Sequence, residues 1–361
     1  MPYLDSIDDV RPPSLGQRVN RFLGAAPSDP LARADQDMAE VIEELRRLDP
    51  EPIEDLTPAE ARRQPTLADA LKARAAKLGV APVAGGVAVH DVTYMAASGR
   101  RPARLYRPRE AGGALPVTLY FHAGGFVLSD IDGCDAGARA MAARTGGMVV
   151  SVDYARAPER PFPAAHDDAV AAYRWLLDDA DRIGGDPDRI VVMGEGAGAN
   201  LALHACVAAR DLGLPPPLRQ ALVTPLAGVD MEAASYVINA HARPLDRAMM
   251  GWLLDHALPD AASRSDPRID LIGRADLAGL PPATIVTAEI DPLRSEGWAL
   301  SETLRESGVA VNAVDVEGVT HGFFGLGEVV RAARLAQDEV ARDLICAFAP
   351  DEHFARFGHA L

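Results

Sequence analysis

Residues 191–200 read VVMGEGAGAN, an apolar run that enters a tight glycine turn and leaves it as a helix. Gly194, Gly196 and Gly198 have the spacing of the G-x-S-x-G elbow, in which a sharp strand-to-helix turn lifts a serine oxygen clear of a sheet. Gly196 occupies the serine position. The surroundings of an attacking hydroxyl are therefore present without the hydroxyl. The same glycines do not make a dinucleotide loop, because G-x-G-x-x-G needs a different spacing and an early first strand.

Outward from this turn, apolar runs and helical periodicities alternate. Strands are expected at 117–121, 148–153, 189–193, 219–224, 283–288 and 309–316, with helices at 166–179, 197–210, 293–306 and near 326–347. Such alternation predicts an α/β fold, a mostly parallel central sheet covered by helices on both faces. Upstream, Val87 to Met95 and Ala103 to Arg107 form an expected antiparallel hairpin across Ser98 and Gly99. Residues 1–80 are helical or irregular, with helical spacing over 38–48 and a capping signature at Thr57, Pro58 and Glu60.

Residues 231–265 interrupt the alternation with an amphipathic stretch holding Tyr236, Met249, Met250, Trp252 and Leu253. We expect a lid packed on the N-terminal residues, although an ordinary core helix would show the same pattern. The expected organisation is an N-terminal helical cap segment at 1–80, a core at 81–230 and 266–361, and a second cap segment at 231–265.

The chain has 361 residues, of which 48% are hydrophobic and 24% charged, enough for one large core with an accessory layer. Its formal net charge of -16 disfavours nucleic acid and anionic membrane surfaces as partners. Cys134, Cys206 and Cys346 lack C-x-x-C spacing and read as reduced, mostly buried thiols. The acidic residues 1–9 do not resemble a secretory signal, and no apolar stretch reaches transmembrane length, so a cytoplasmic location is expected. No H-E-x-x-H pair or similar ligand spacing implies a metal, and no cofactor is expected.

Three further segments carry chemistry. His122-Ala123-Gly124-Gly125 comes directly after the strand 117–121, where a glycine pair lets backbone N–H groups face a developing oxyanion. Asp291 lies just past the strand 283–288, and His321 just past the strand 309–316. An acid and a histidine at the carboxyl ends of successive parallel strands, after an elbow, give the chain order nucleophile, acid, histidine.

In combination these segments resemble the hormone-sensitive-lipase-like branch of the α/β-hydrolases, bacterial carboxylesterases with the patterns HGGG, GDSAGG, DPLRDEG and HGF. Residues 154–165, YARAPERPFPAA, are similar to that family's YRLAPE-x-PFPAA segment. The resemblance spans about residues 38–348. It implies an α/β-hydrolase fold with a helical cap, oxyanion-hole amides from Gly124, Gly125 and Ala197, Asp291 as acid and His321 as base. It also implies small to medium acyl or aryl esters as substrates, with Tyr236, Met249, Met250 and Trp252 on the pocket or cap. The family often dimerises along a sheet edge near the strand 309–316, which leaves a homodimer open.

Ala123 replaces the first glycine of HGGG, Ser295 the second aspartate of DPLRDEG, and Glu195 the aspartate before the nucleophile. Those three are compatible with the machinery; Gly196 removes its nucleophile. The expected result is an esterase scaffold that is inactive as it stands, or a serine deliberately replaced by glycine. Alternatives are a natural non-hydrolytic member using His321 and Asp291 for proton abstraction, elimination or cyclisation, and a non-enzymatic receptor for a small molecule. Water activated by His321 is a further route, and neither Glu195 nor Ser129 is a convincing substitute nucleophile.

Overall fold

The computed structural model describes residues 29–80 and 86–349. The acidic residues 1–9 lie outside them. The strands are β1 (Val87–Ala96), β2 (Gly99–Pro108), β3 (Leu115–Phe121), β4 (Met148–Val152), β5 (Gly185–Glu195), β6 (Gln220–Val223), β7 (Ala283–Ile290) and β8 (Val311–Thr320). They form one eight-stranded sheet in the order β1-β2-β4-β3-β5-β6-β7-β8. β2 runs antiparallel to β1 and β4, and every other pairing is parallel.

The helices are α1 (Gln36–Arg47), α2 (Pro58–Ala61), α3 (Leu67–Leu78), α4 (Asp135–Thr145), α5 (Ala164–Asp179) and α6 (Ala197–Asp211). They continue as α7 (Ala234–Ile238), α8 (Arg247–Ala257), α9 (Ala261–Arg264), α10 (Leu271–Arg274), α11 (Arg294–Glu306) and α12 (Arg331–Phe348). Among the described residues no helix is long and apolar enough to cross a membrane.

Successive side chains on a strand point to opposite faces, and here both faces are covered. Leu119, Val150 and Val192 join the cluster under α5, α6 and α11, while Tyr120, Val149 and Val191 join the cluster under α4 and α12. Burial on both sides explains why the central strands are continuous apolar runs. α1 and α3 share the second cluster through Met38, Val41 and Leu71, alongside Val319 and Phe323. The signature at residues 57–60 is a capping box: Thr57 Oγ accepts the Glu60 N–H, and Glu60 accepts the Thr57 N–H at 3.0 Å.

Several boundaries differ from the sequence reading. β2 starts at Gly99 because Arg100, Arg101 and Pro102, polar in composition, pair with Met95, Tyr94 and Thr93. The last helix starts at Arg331, since Phe323–Leu326 first forms a 3-10 turn. Cys134 is the N-cap of α4 and lies outside the helix body. All three cysteines are free; Cys206 is buried and Cys134 half-buried, but Cys346 is exposed.

Candidate active site

The turn between β5 and α6 places Gly196 at φ 55° and ψ -117°. A residue with a side chain held in such a region costs about 1–3 kcal/mol, whereas glycine adopts it freely. The main chain is pinned there by the Gly196 N–H on Val223 O at 2.9 Å and by the Leu226 N–H on Gly196 O at 3.1 Å. The flanking glycines have a different cause. A Cβ on Gly198 would lie 2.1 Å from Phe121 O, and one on Gly194 would lie 2.1 Å from Gly198 O. Close passage of strand and helix fixes those two positions. A Cβ on Gly196 meets only ordinary contacts, 3.5 Å to His321 Nε2, 3.6 Å to His321 Cε1 and 3.9 Å to Ala123 Cβ.

Asp291 and His321 stand at the ends of β7 and β8. His321 Nδ1 lies 2.8 Å from Asp291 Oδ2, and the Leu293 N–H donates to Asp291 Oδ1 at 2.8 Å. An acceptor on the Nδ1 side keeps the proton there in the neutral ring, so Nε2 presents its lone pair to the Gly196 corner. Burial disfavours the imidazolium. The Asp291 charge and hydrogen bond, with the more distant Glu195, outweigh burial and hold His321 above the usual histidine value. Asp291 is itself fully buried, and Asn239 donates to its carbonyl at 3.0 Å.

The third wall is the loop after β3. Gly124 has φ 117°, and its carbonyl accepts the N–H groups of Val127 at 3.0 Å and Leu128 at 2.7 Å. A Cβ there would strike Leu128 O at 2.0 Å. The N–H groups of Gly124 and Gly125 donate to no protein acceptor among the described residues. The loop is braced by Tyr154, whose hydroxyl donates to His122 O at 2.8 Å and whose ring stacks on His122 at 4.1 Å. Ala123 replaces glycine without loss here; its N–H donates to Cys134 Sγ at 3.4 Å, and its methyl group faces the corner. Ala197 opens α6, a fifteen-residue helix whose N-terminus favours negative charge.

The chain thus brings Gly124, Gly125, Gly196, Ala197, Asp291 and His321 to the carboxyl ends of β3, β5, β7 and β8. Other predicted residues occupy varied settings. Tyr236 is fully buried, and its hydroxyl donates to Glu296 at 2.8 Å. Met250 is buried and Met249 half-buried on α8. The Trp252 ring packs at a tilt of 39° against His256, 4.2 Å between centroids, and its Nε1 donates to Leu56 O at 3.2 Å. Glu195 points away from the corner to the Tyr120 hydroxyl, and burial raises its carboxyl. Ser129 Oγ lies 3.5 Å from Asp130 O.

Glu296 and Asn239 escaped the sequence reading, and Leu253 was marked there only as part of the amphipathic stretch. Leu253 of α8 lies where a Cβ on Gly125 would come within 2.7 Å, so α8 packs on the loop after β3. Glu296 accepts the N–H groups of Ala227 at 2.7 Å and Gly228 at 2.9 Å, and burial pushes its carboxyl up to about 7. Asn239 donates to Asp291 O and accepts from Arg33. Glu296 matches the glutamate of DPLRDEG, and that was its only mark. Ser295 and Ser235 exchange reciprocal bonds, each N–H to the other's Oγ at 3.0 Å, joining α11 to α7. No group of three metal-ligating side chains occurs among the described residues.

The family described as alpha/beta hydrolase fold matches residues 118–325. The chain belongs to the hormone-sensitive-lipase-like α/β-hydrolases, a carboxylesterase family. It is 42% identical over 235 residues to carboxylesterase NlhH of Mycobacterium tuberculosis, covering 64% of this chain and 74% of that protein. Esterase LipI of the same organism is 37% identical over 268 residues, 73% of this chain and 84% of the relative. Among solved structures, a thermostable esterase from Pseudomonas putida superposes with a TM-score of 0.80 at 30% identity, covering 88% of this chain and 98% of that one. These hydrolase relatives include proteins described as an ethyl acetate hydrolase and an arylesterase.

Proposed function

We propose that this chain is a scaffold for hydrolysis of small to medium acyl or aryl esters, complete except for its nucleophile and without acyl-enzyme turnover as it stands. The observation that carries this reading is the clearance at Gly196. A side chain placed there begins 3.5 Å from the Nε2 of a histidine already bonded to a buried carboxylate. The names of the ethyl acetate hydrolase and arylesterase relatives support the substrate class. Among the described residues, 29–80 and 231–265 serve as the cover over a core of 86–230 and 266–349, a division supported by Leu253 on Gly125 and Trp252 on Leu56. Free thiols at Cys134, Cys206 and Cys346 fit a reducing, cytoplasmic compartment.

Without the serine, catalysis is limited to what the amides and binding supply, about 10³- to 10⁴-fold over water. Gly196→Ser assayed on p-nitrophenyl esters of increasing chain length should raise turnover by at least about 100-fold. His321→Ala in that background should remove the gain. A folded Gly196→Ser protein that stays silent on all these esters overturns the reading. A second reading rests on the exposed lone pair of His321 Nε2 beside unpaired amides, a base and anion cradle suited to proton abstraction next to a carbonyl. Turnover of an enolisable ketone by the unchanged chain, lost in His321→Ala, would favour it.

A further inference from the structure

The corner at Gly196 has three walls of different chemistry. One is His321 Nε2, which has no hydrogen-bond partner in the protein among the described residues. Another is the loop whose Gly124 and Gly125 N–H groups are likewise unpaired. The last is the start of α6 at Ala197, where the helix leaves donors and positive potential. In a serine enzyme the side-chain oxygen would stand between these walls. Here the backbone keeps the elbow conformation, φ 55° and ψ -117°, and contributes only hydrogen to the space.

We propose that this corner is a carboxylate-binding site, with one ligand oxygen on the amides of Gly124, Gly125 and Ala197 and the other on His321 Nε2, where a serine oxygen would otherwise be. The proposal rests on the assignment of those residues as an oxyanion cradle and base. Two oxygens on one carbon reproduce the pair such a site is shaped for, an attacking oxygen and an oxyanion. The charges also match, because a tetrahedral oxyanion forms beside an imidazolium. A carboxylate presents that arrangement as a stable ground state. A neutral ester or amide carbonyl engages the amides and offers no negative oxygen to the imidazolium. An intact serine would exclude the second oxygen, so the absence of the side chain is what opens the site.

The ligand's substituent must lie under the cap, where Leu253 presses on Gly125. Short apolar carboxylic acids fit that wall, and polyanions do not. Two acidic groups act on His321: Asp291 from the end of β7, bonded to Nδ1, and, at longer range, Glu195 from the end of β5, turned away and buried against Tyr120. Both favour the imidazolium, and neither occupies the Nε2 side. Binding therefore takes place to the protonated ring, and above its protonation midpoint the carboxylate must bring a proton with it.

The test titrates the unmodified protein with acetate, butyrate and benzoate by calorimetry, and follows the His321 ring by ¹⁵N NMR. Acetamide and butyramide serve as neutral controls. We expect saturable binding of the acids, a shift of the His321 ring toward imidazolium, and affinity falling about tenfold per pH unit above the free histidine's midpoint. Gly196→Ser should weaken binding by at least about tenfold because its oxygen fills the second position, and His321→Leu should do the same by removing the cation. Equal affinity for acids and amides, pH-independent binding, or undiminished binding in Gly196→Ser would each overturn the proposal. The ester assay separates the two readings. Esterase gain in Gly196→Ser with no carboxylate binding in the parent defeats this inference alone, whereas binding in the parent with a silent serine variant upholds it and defeats the esterase scaffold.

Discussion

Gly196 holds a main-chain conformation that strains any residue bearing a Cβ, yet the space around it accepts one without a clash. Conformation and clearance can therefore be measured separately. Gly196→Ala and Gly196→Ser should each lose about 1–3 kcal/mol of stability, a tolerable fraction of the roughly 5–15 kcal/mol of an ordinary fold. In urea both should show a lower midpoint at unchanged m-value, and the two should agree closely, because backbone strain is set by the presence of Cβ and not by the atoms bonded to it. Only the serine variant should turn over esters. An alanine variant as stable as the parent would contradict the strain, and a serine variant far less stable than alanine would point to a clash that the geometry does not show. The same comparison explains how activity and stability oppose one another at this position, since the glycine relieves a cost that the hydroxyl requires.

At the scale of elements, α5 and α6 are joined behind the elbow by the buried imidazole of His166 and the half-buried imidazole of His204. His166 Nε2 lies 2.9 Å from Asn200 Oδ1, Asn200 Nδ2 donates to Leu226 O at 3.2 Å, and the His204 ring is 5.2 Å from His166. Burial first, then the neighbouring His204 and Arg268, push His166 down to about 3; burial and Arg268 push His204 down to about 4. An unfolded histidine binds its proton near pH 6.5, so between about pH 6.5 and 4 the unfolded chain takes up protons that the native rings refuse. As pH drops through that window, stability falls by up to about 1.4 kcal/mol per pH unit for each ring. Glu296, raised to about 7, titrates with the opposite sign over most of this window, whereas His321, also raised, changes its contribution only above about pH 6.5, so the informative quantity is a difference between proteins. His204→Gln should gain on the parent as pH drops from 6.5 to 4 in urea melts, and a constant offset across that range would refute the assignment. These rings were invisible in the sequence because an isolated histidine in a helix carries no period. The sheet was legible for the opposite reason: strands buried on both faces must be apolar at consecutive positions, as at Val191, Val192 and Met193. The site was legible where short segments end such strands, at Gly124, Gly196, Asp291 and His321. Asn239 was not, and Leu253 was marked only as part of an amphipathic stretch, because what brings them to the site is contact across 52 and 128 residues of chain, with Asp291 and with Gly125.

At the scale of the whole molecule, residues 29–80 are fastened to the loops after β3 and β4, and Arg62 is one tie. Its Nε donates to Val127 O at 2.9 Å, and one terminal nitrogen donates to Ala157 O at 2.6 Å. Val127 continues the Gly124 turn, and Ala157 belongs to the segment that braces His122 through Tyr154. The guanidinium also pairs with Glu159 at 2.6 Å, but that carboxylate is 60% exposed. An exposed ion pair contributes about 0–1 kcal/mol and is screened by salt, whereas two carbonyls of buried residues left without donors cost about 1–3 kcal/mol each before water reaches them. The carbonyl bonds should therefore dominate. Arg62→Met, which keeps the apolar stem, should lose about 2–4 kcal/mol, and the loss should be nearly the same in 0.05 M and 1 M NaCl. Glu159→Gln should lose less than about 1 kcal/mol, and only at low salt. If high salt instead erased the Arg62→Met deficit, the tie would be the ion pair and the N-terminal cover would be held by surface charge. With a formal net charge of -16, the Arg62→Met protein, lacking that pair, would then loosen residues 48–66 at low ionic strength, where repulsion among 52 acidic side chains is least screened. Limited proteolysis of residues 48–66 in the two salts distinguishes these outcomes directly, since carbonyl bonds predict equal protection and the ion pair predicts cleavage in the Arg62→Met protein at low salt alone.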